Sequence, residues 1–129
     1  MTRHVHGAFE VTLTPQSVPG AAVGRMSLAK TFHGPLAANS TGEMLAIQGS
    51  VEGSAGYVAM ERVTGTLEGH SGSFALQHSG RMERGTPALV ITVVPDSGTG
   101  ELLGLAGAMT IDIRDGKHFY VFDYALPLA

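Results

Sequence analysis

Apolar and polar residues alternate along most of this chain with the two-residue period of half-buried β-strands. No stretch of ten or more residues carries the apolar stripe of an amphipathic helix, and the nearest, 101–108, is interrupted by two glycines. Segments rich in Gly, Pro, Ser and Asn separate the alternating runs. The pattern predicts eight strands, at about 3–13, 25–34, 42–51, 56–68, 71–82, 88–94, 101–114 and 117–126.

Each predicted strand has one apolar face, and there is no helix to cover it. The sheet must therefore close on itself or pack against a second sheet. We favour closure, because glycines on the inner face allow strong curvature. The sequence thus predicts an all-β fold: one domain over residues 1–129, an antiparallel eight-stranded closed β-barrel with no substantial helix. The interior of such a barrel is either packed or holds one small ligand.

Turn chemistry predicts the register of the hairpin over 57–79 and places two ionisable side chains together. Gly69-His70 suits a type II′ turn, and if Glu68 then pairs with Ser71, Glu61 lies opposite His78 on the apolar face. Opposed Cβ atoms lie about 4.5–5.5 Å apart, so the carboxylate and the imidazole can hydrogen-bond. A carboxylate that orients an imidazole is the arrangement of a general acid or base. The same pair can instead serve only to define strand register.

The last hairpin turns at Asp115-Gly116, which predicts a type I′ turn and pairs Arg114 with Lys117. Its inner face and that of the first hairpin supply the candidate ligand-binding residues, which are Tyr57, Phe74, Leu76, His118, Tyr120, Phe122 and Tyr124. The polar tips of the tyrosines and the histidine could donate to a ligand oxygen. Alternatively, the tyrosines close one end of the barrel.

Composition narrows the choice of partners and of chemistry. The net charge of −3 and only 8 Lys and Arg argue against a nucleic acid or an anionic membrane as partner. The absence of cysteine removes thiolate chemistry and is compatible with a reducing cytoplasm. No apolar run approaches the roughly 20 residues of a membrane span, and the N-terminus does not resemble a signal peptide. We therefore expect a cytoplasmic protein.

Neither a metal nor another cofactor is expected. His4 and His6 form a His-x-His pattern, but they share the wetter face of the first strand near the terminus. The glycines of 98–107 are not followed by the helix that a dinucleotide-binding turn requires.

The facing of strands 2, 3 and 6 is ambiguous. Lys30 points inward if Leu28 and Phe32 do, and Glu43 and Thr92 have no assigned face. A homo-oligomer is an option, because some apolar residues are expected on the outer surface: Met44, Ala46, Leu102 and Ala106.

Three runs resemble a bacterial family of small proteins that is known only as a domain of unknown function with an allene-oxide-cyclase-like barrel. They are YVAMERVTGTLEGHSGSFALQHSG, PDSGTGELLGLAG and DGKHFYVFDYALP, and the resemblance extends from KTFHGPLAANSTGEML to YALP. It implies a closed antiparallel barrel and supplies no reaction. The wider group looks like plant allene oxide cyclases and dirigent proteins, which steer ring closure or coupling of an apolar intermediate, an analogy at the level of the fold.

The leading hypothesis is a barrel that takes a small, mostly apolar molecule and isomerises, cyclises or eliminates it without a cofactor. Glu61 would be the general base or the orienting carboxylate, and His78 its partner acid or base. Tyr120, Tyr124 and His118 would donate to developing oxyanion charge. Two alternatives are a non-catalytic carrier, which tolerates Glu61→Gln, and an oligomeric structural or interaction protein with a packed barrel.

Overall fold

The computed structural model describes residues 2–127, in which eight antiparallel strands follow one another and close into a barrel through pairing of the first strand with the last. The strands are β1 (Thr2–Pro15), β2 (Gly24–Phe32), β3 (Leu36–Gln48), β4 (Ala55–Leu67), β5 (His70–Glu83), β6 (Thr86–Val93), β7 (Ala106–Arg114) and β8 (Lys117–Ala125). The described helical structure is a single 3-10 turn, Gly100–Leu102. The predicted fold class is confirmed.

Two strands begin at different places from those predicted. β3 starts at Leu36 rather than near residue 42, because Leu36, Ala38 and Ser40 alternate inward although their neighbourhood has the composition of a loop. β7 starts at Ala106 rather than near residue 101, because the chain first makes the 3-10 turn and buries Leu102 against the barrel. In both cases burial in the folded barrel outweighs local propensity.

The two predicted hairpin registers have different outcomes. The β7–β8 register is confirmed, with Arg114 opposite Lys117. The β4–β5 register is wrong by two residues, because the turn residues are Glu68 and Gly69, at φ 47° and 85°, and this type I′ geometry pairs Leu67 with His70.

The corrected register gives Glu61 and His78 different cross-strand partners, but both side chains stay on the inner face of the hairpin. Glu61 now lies opposite Leu76, and His78 lies opposite Ala59. A slip of two residues preserves the alternation of side chains, so the predicted inner face of this hairpin is retained.

The barrel has one end that is filled and one that is not. At the closed end, defined by the turns 33–35 and 68–69 and the segment 94–105, Leu102 and Leu105 are buried. The Tyr120 hydroxyl donates to the His33 carbonyl at 2.8 Å and accepts the Leu36 N–H at 3.1 Å. The open end is defined by the loops 16–23, 49–54, 84–85 and 115–116.

The outer surface differs from the one predicted for a subunit interface. Met44 shares the inward side of β3, and Leu102 is buried. The apolar side chains that face outward on β3, β4 and β6 are Leu45, Ile47, Val58, Met60 and Val90. A homo-oligomer stays a prediction. Within residues 2–127, none of the helical structure has the length and apolar character that crossing a membrane requires.

Gly7→Ala should destabilise the barrel by about 1–3 kcal/mol, the usual range for overpacking. Gly7 lies opposite Tyr120, and a Cβ there would stand 2.3 Å from the His33 carbonyl oxygen and 2.7 Å from the Tyr120 hydroxyl. Urea denaturation measures the change. Gly56→Ala is the matched control within a strand, since its nearest neighbour would be 3.9 Å away. Equal loss of stability in both variants would contradict the steric account.

Candidate functional site

Four polar side chains meet inside the barrel, each on a different strand. They are the buried polar residues of the described chain: Lys30 on β2, Ser40 on β3, Glu61 on β4 and His78 on β5. Neighbouring strands and inward-facing positions bring them together, since Lys30 is opposite Ser40 in the β2–β3 pairing. We call them the polar cluster.

The Glu61 carboxylate is the centre of the polar cluster. Its Oε1 accepts the Ser40 hydroxyl at 2.7 Å, and its Oε2 accepts the Lys30 ammonium at 2.8 Å. The same Oε2 lies 2.6 Å from His78 Nε2. The Glu61 side chain is 0 % exposed, so the carboxylate depends on protein partners for the hydrogen bonds that water would supply.

Small residues around Glu61 leave space for this arrangement. Gly42 lies directly opposite Glu61, and a Cβ on Gly42 would come within 2.8 Å of the Glu61 Cβ. Ala59 is opposite His78, and Ala59 and Glu61 share one face of β4. The imidazole therefore reaches Glu61 diagonally, a distance that long side chains on paired strands can span.

The neighbours of Glu61 keep it ionised. Burial by itself raises the pKa of the carboxyl, but the hydrogen bond from His78, the charge of Lys30 and the Ser40 hydroxyl outweigh it and lower the pKa to about 2. A carboxylate this acidic is a weak base at neutral pH. Of the two roles predicted for Glu61, the geometry therefore favours the orienting carboxylate over the general base.

The ionised carboxylate also determines the tautomer of His78. Because Glu61 can only accept, the 2.6 Å contact places a proton on His78 Nε2. In the neutral ring, Nδ1 is then an acceptor, and it lies 3.5 Å from the Tyr57 hydroxyl. Burial, followed by the charge of Glu61, raises the pKa of Tyr57, so this hydroxyl keeps its proton at neutral pH. Tyr57, His78 and Glu61 thus form a chain of hydrogen-bonding groups.

A cavity of about 200 Å³ lies beside this chain on the side of the open end. All eight strands contribute to its lining, which consists of Phe9, Val11, Leu13, Leu28, Lys30, Met44, Tyr57, Ala59, His78, Leu89, Ile111, Ile113 and His118. Most of these side chains are apolar. Lys30, Tyr57 and His78 therefore provide a polar floor, and His118 adds a polar group elsewhere in the mostly apolar lining. A larger hollow of about 390 Å³ borders Leu45, Ile47 and Val58, away from the buried charges.

The structure separates the predicted ligand-binding residues into two groups. Tyr57 and His118 line the cavity. The other five are packed between the cavity and the closed end, each no more than 2 % exposed, and do not line it: Phe74, Leu76, Tyr120, Phe122 and Tyr124.

The polar tips of Tyr120 and Tyr124 are used within the protein. Tyr120 bonds the backbone at the closed end, and Tyr124 donates to Glu68, which also pairs with Arg3. Their predicted role as oxyanion donors is therefore corrected to closure of the barrel end. Strand alternation predicted that these residues face inward, but it contains no information on their depth along the barrel.

Lys30 and Ser40 are the members of the polar cluster that the sequence left unassigned. A lysine in the otherwise apolar series Leu28, Lys30, Phe32 was a usable signal for an inward charge. Ser40 lies between two predicted strands in a segment with the composition of a loop, for which the sequence pattern predicts no facing.

Two of the exposed histidines have carboxylate partners. His4 Nδ1 lies 2.5 Å from Asp123, and His33 Nε2 lies 2.8 Å from Glu10. Within residues 2–127, no group of three or more His, Asp and Glu side chains is arranged to hold a metal ion.

Comparisons with known proteins identify relatives of this chain. The family model described as "Protein of unknown function (DUF3224)" matches residues 5–124. A crystal structure of a protein of unknown function from the DUF3224 family of Shewanella oneidensis MR-1 is 49% identical, with a TM-score of 0.94 over 100% of both chains. No curated protein matches. The likeness to allene oxide cyclases stays a prediction.

Glu61→Gln should lower the free energy of unfolding by about 3–5 kcal/mol, because it leaves the Lys30 ammonium without its buried counter-charge. The double variant Lys30→Met, Glu61→Gln removes both charges and should be closer to the wild type in urea denaturation. A loss below about 1 kcal/mol in Glu61→Gln would contradict the view that the pair is desolvated.

Stability should fall between pH 4.5 and pH 2 because Glu61 becomes protonated. Its pKa is about 2 in the folded protein against an ordinary 4.5, so its contribution is complete above pH 4.5 and is lost as the pH falls. This loss is of the order of 3 kcal/mol. The measurement is the difference in unfolding free energy between the wild type and the double variant from pH 5 to pH 2. The lowered pKa of the half-buried Glu68 is common to both proteins and cancels. A difference that stays constant over this range would contradict the assignment.

Proposed function

This chain belongs to the DUF3224 family, and from the geometry of its cavity we propose that the barrel binds a small, mostly apolar molecule, on which His78 acts as an acid–base group without a cofactor. The observation that carries the proposal is the chain from Glu61 through His78 to Tyr57, which ends at the cavity. Glu61 orients His78, and Lys30 and Ser40 hold Glu61.

The size and lining of the cavity limit the ligand. A dry apolar cavity of about 150 Å³ can hold benzene, so about 200 Å³ suits a molecule of one ring with a short substituent. Apolar side chains such as Leu28 and Ile111 would cover the hydrocarbon part. The polar floor would receive the single polar group of the ligand.

The chemistry proposed for His78 is proton transfer. Neutral His78 presents Nδ1, which can take a proton from a carbon next to a carbonyl while the C–H electron pair moves into an enolate. Glu61 stabilises the resulting imidazolium, as carboxylates do in histidine-based catalysis. Return of that proton to a different carbon isomerises the molecule. Tyr57, whose hydroxyl reaches the same Nδ1, can donate to the developing oxyanion.

A carrier is the second candidate function, favoured by the mostly apolar lining of the cavity. A carrier needs the same cavity, and it needs the polar cluster only to orient its ligand. Turnover is therefore the property that distinguishes the two candidates.

Cyclohexanone should bind in the cavity and exchange its α-hydrogens in D2O in the presence of the protein. Binding is followed by methyl NMR shifts of cavity residues such as Ala59 and Leu28, and exchange by mass spectrometry. His78→Gln should reduce the exchange about 10²–10⁴-fold, the usual contribution of a general base, while binding is kept.

Two alanine variants provide the controls for this experiment. Ala59→Leu fills the cavity and should abolish binding, whereas Ala29→Leu, on the exposed face of β2, should not change it. Binding without exchange in the wild type would favour the carrier. Failure of the wild type to bind cyclohexanone or any other one-ring molecule of this size would overturn the proposal.

A further inference from the structure

Among the described residues, the floor of the cavity offers the ammonium of Lys30 and no free carboxylate oxygen, and we infer that its ligand carries an acidic oxygen and binds as an anion, together with a proton that His78 takes up. The ligand class is a one-ring carboxylate, enolate or phenolate. This inference rests on the proposed binding site and names the polar group that the site selects.

The two oxygens of Glu61 already have partners. Ser40 donates to Oε1, and both Lys30 and His78 contact Oε2. With its side chain 0 % exposed, Glu61 is not available to receive a donor from a ligand. An alcohol or ammonium group would therefore find no carboxylate at the floor.

Lys30 has donors to spare. Its ammonium carries three N–H groups, and among residues 2–127 it has one hydrogen-bond partner, Glu61. The Lys30 Nζ otherwise lies 5.2 Å and 5.8 Å from the ring centres of Phe9 and Phe32. An anionic oxygen can accept a charge-assisted hydrogen bond from this ammonium, which an aromatic face cannot provide.

Charge balance couples this anion to a proton. Lys30 and Glu61 neutralise each other, so a bound anion would leave one uncompensated negative charge in a buried place. Among the described residues, the ionisable groups that face His78 or share its cavity are Glu61, Tyr57, Lys30 and His118.

His78 is the group placed to accept the proton. Among residues 2–127, its Nδ1 has only the long 3.5 Å contact to Tyr57, and Glu61 already holds Nε2. Protonation of Nδ1 restores neutrality and turns this atom into a further donor. The bound state then contains two positive and two negative charges.

Three probes of nearly equal size test the charge selectivity: benzoate, benzyl alcohol and benzylamine. Isothermal titration calorimetry at pH 8, where an ordinary histidine is mostly neutral, is carried out in two buffers of different ionisation enthalpy. Benzoate should bind at least about tenfold more tightly than benzyl alcohol. Benzylamine should not bind, because its charge would face Lys30. The buffer dependence should correspond to about one proton taken up per benzoate, and the affinity for benzoate should fall as the pH rises.

Variants assign these effects to residues. His78→Gln should abolish the proton uptake, and the Lys30→Met, Glu61→Gln double variant should lose the preference for benzoate. Ala59→Leu should remove benzoate binding, and Ala29→Leu should leave it unchanged. Proton uptake that persists in His78→Gln, or benzoate binding that persists in Ala59→Leu, would overturn the assignment.

The probes also separate this inference from the function on which it rests. Equal affinity for benzoate and benzyl alcohol without buffer dependence would overturn the inference that the ligand is an anion. The proposal that the cavity binds a small molecule would stand. Binding of cyclohexanone but of none of the three probes would have the same two consequences. Failure of cyclohexanone and all three probes would overturn the proposed function, and the inference with it.

Discussion

A buried carboxylate that must be matched by donors is the constraint on which the interior of this barrel depends. Glu61 can remain ionised without water only because Lys30, Ser40 and His78 come from three other strands to meet it. This requirement couples the registers of β2, β3, β4 and β5. A core of similar volume made of apolar side chains is often at least as stable as a buried ion pair. Stability alone therefore does not explain the buried charges beside the cavity, whereas the proposed binding site does.

The polar cluster lies where the packed half of the barrel ends and the cavity begins. Beneath it, Phe74 and Phe122 stack with ring centres 5.9 Å apart, and Tyr120 bonds the backbone at the closed end. Above it, the lining converges from all eight strands. Groups held on paired strands over a filled core have little freedom to move. The arrangement thus holds His78 and Lys30 in fixed orientations, which is what the proposed acid–base and anion-binding roles require.

The electrostatics of the cluster suggest different roles for Glu61 and His78. The pKa of Glu61 is lowered to about 2, so this group supplies a constant negative charge. His78 has one nitrogen held by that charge and the other directed at Tyr57. The imidazole is therefore the member of the pair that keeps a nitrogen without a charged partner, and for this reason the proposed proton transfer is assigned to it. The pairing alone, as inferred from sequence, did not distinguish the roles of the two residues.

Local chemistry in the sequence was sufficient for the fold class, for inner and outer faces and for one register. Asp115-Gly116 adopts the positive φ values of a type I′ turn almost independently of its surroundings. The other turn was ambiguous, because Glu68-Gly69 and Gly69-His70 both suit tight turns, and the pairing of β4 with its neighbours selected the first. Alternation then kept Glu61 and His78 on one face despite the error of two residues.

Only the tertiary structure decided which residues share a depth in the barrel. The stagger of eight strands is a property of the closed sheet as a whole, and no single hairpin determines it. For this reason the sequence did not predict that Lys30 and Ser40 contact Glu61, or that the hydroxyls of Tyr120 and Tyr124 lie at the closed end. The sequence by itself determined that a carboxylate and an imidazole face inward together; closure of the barrel decided that an ammonium completes them beside a cavity.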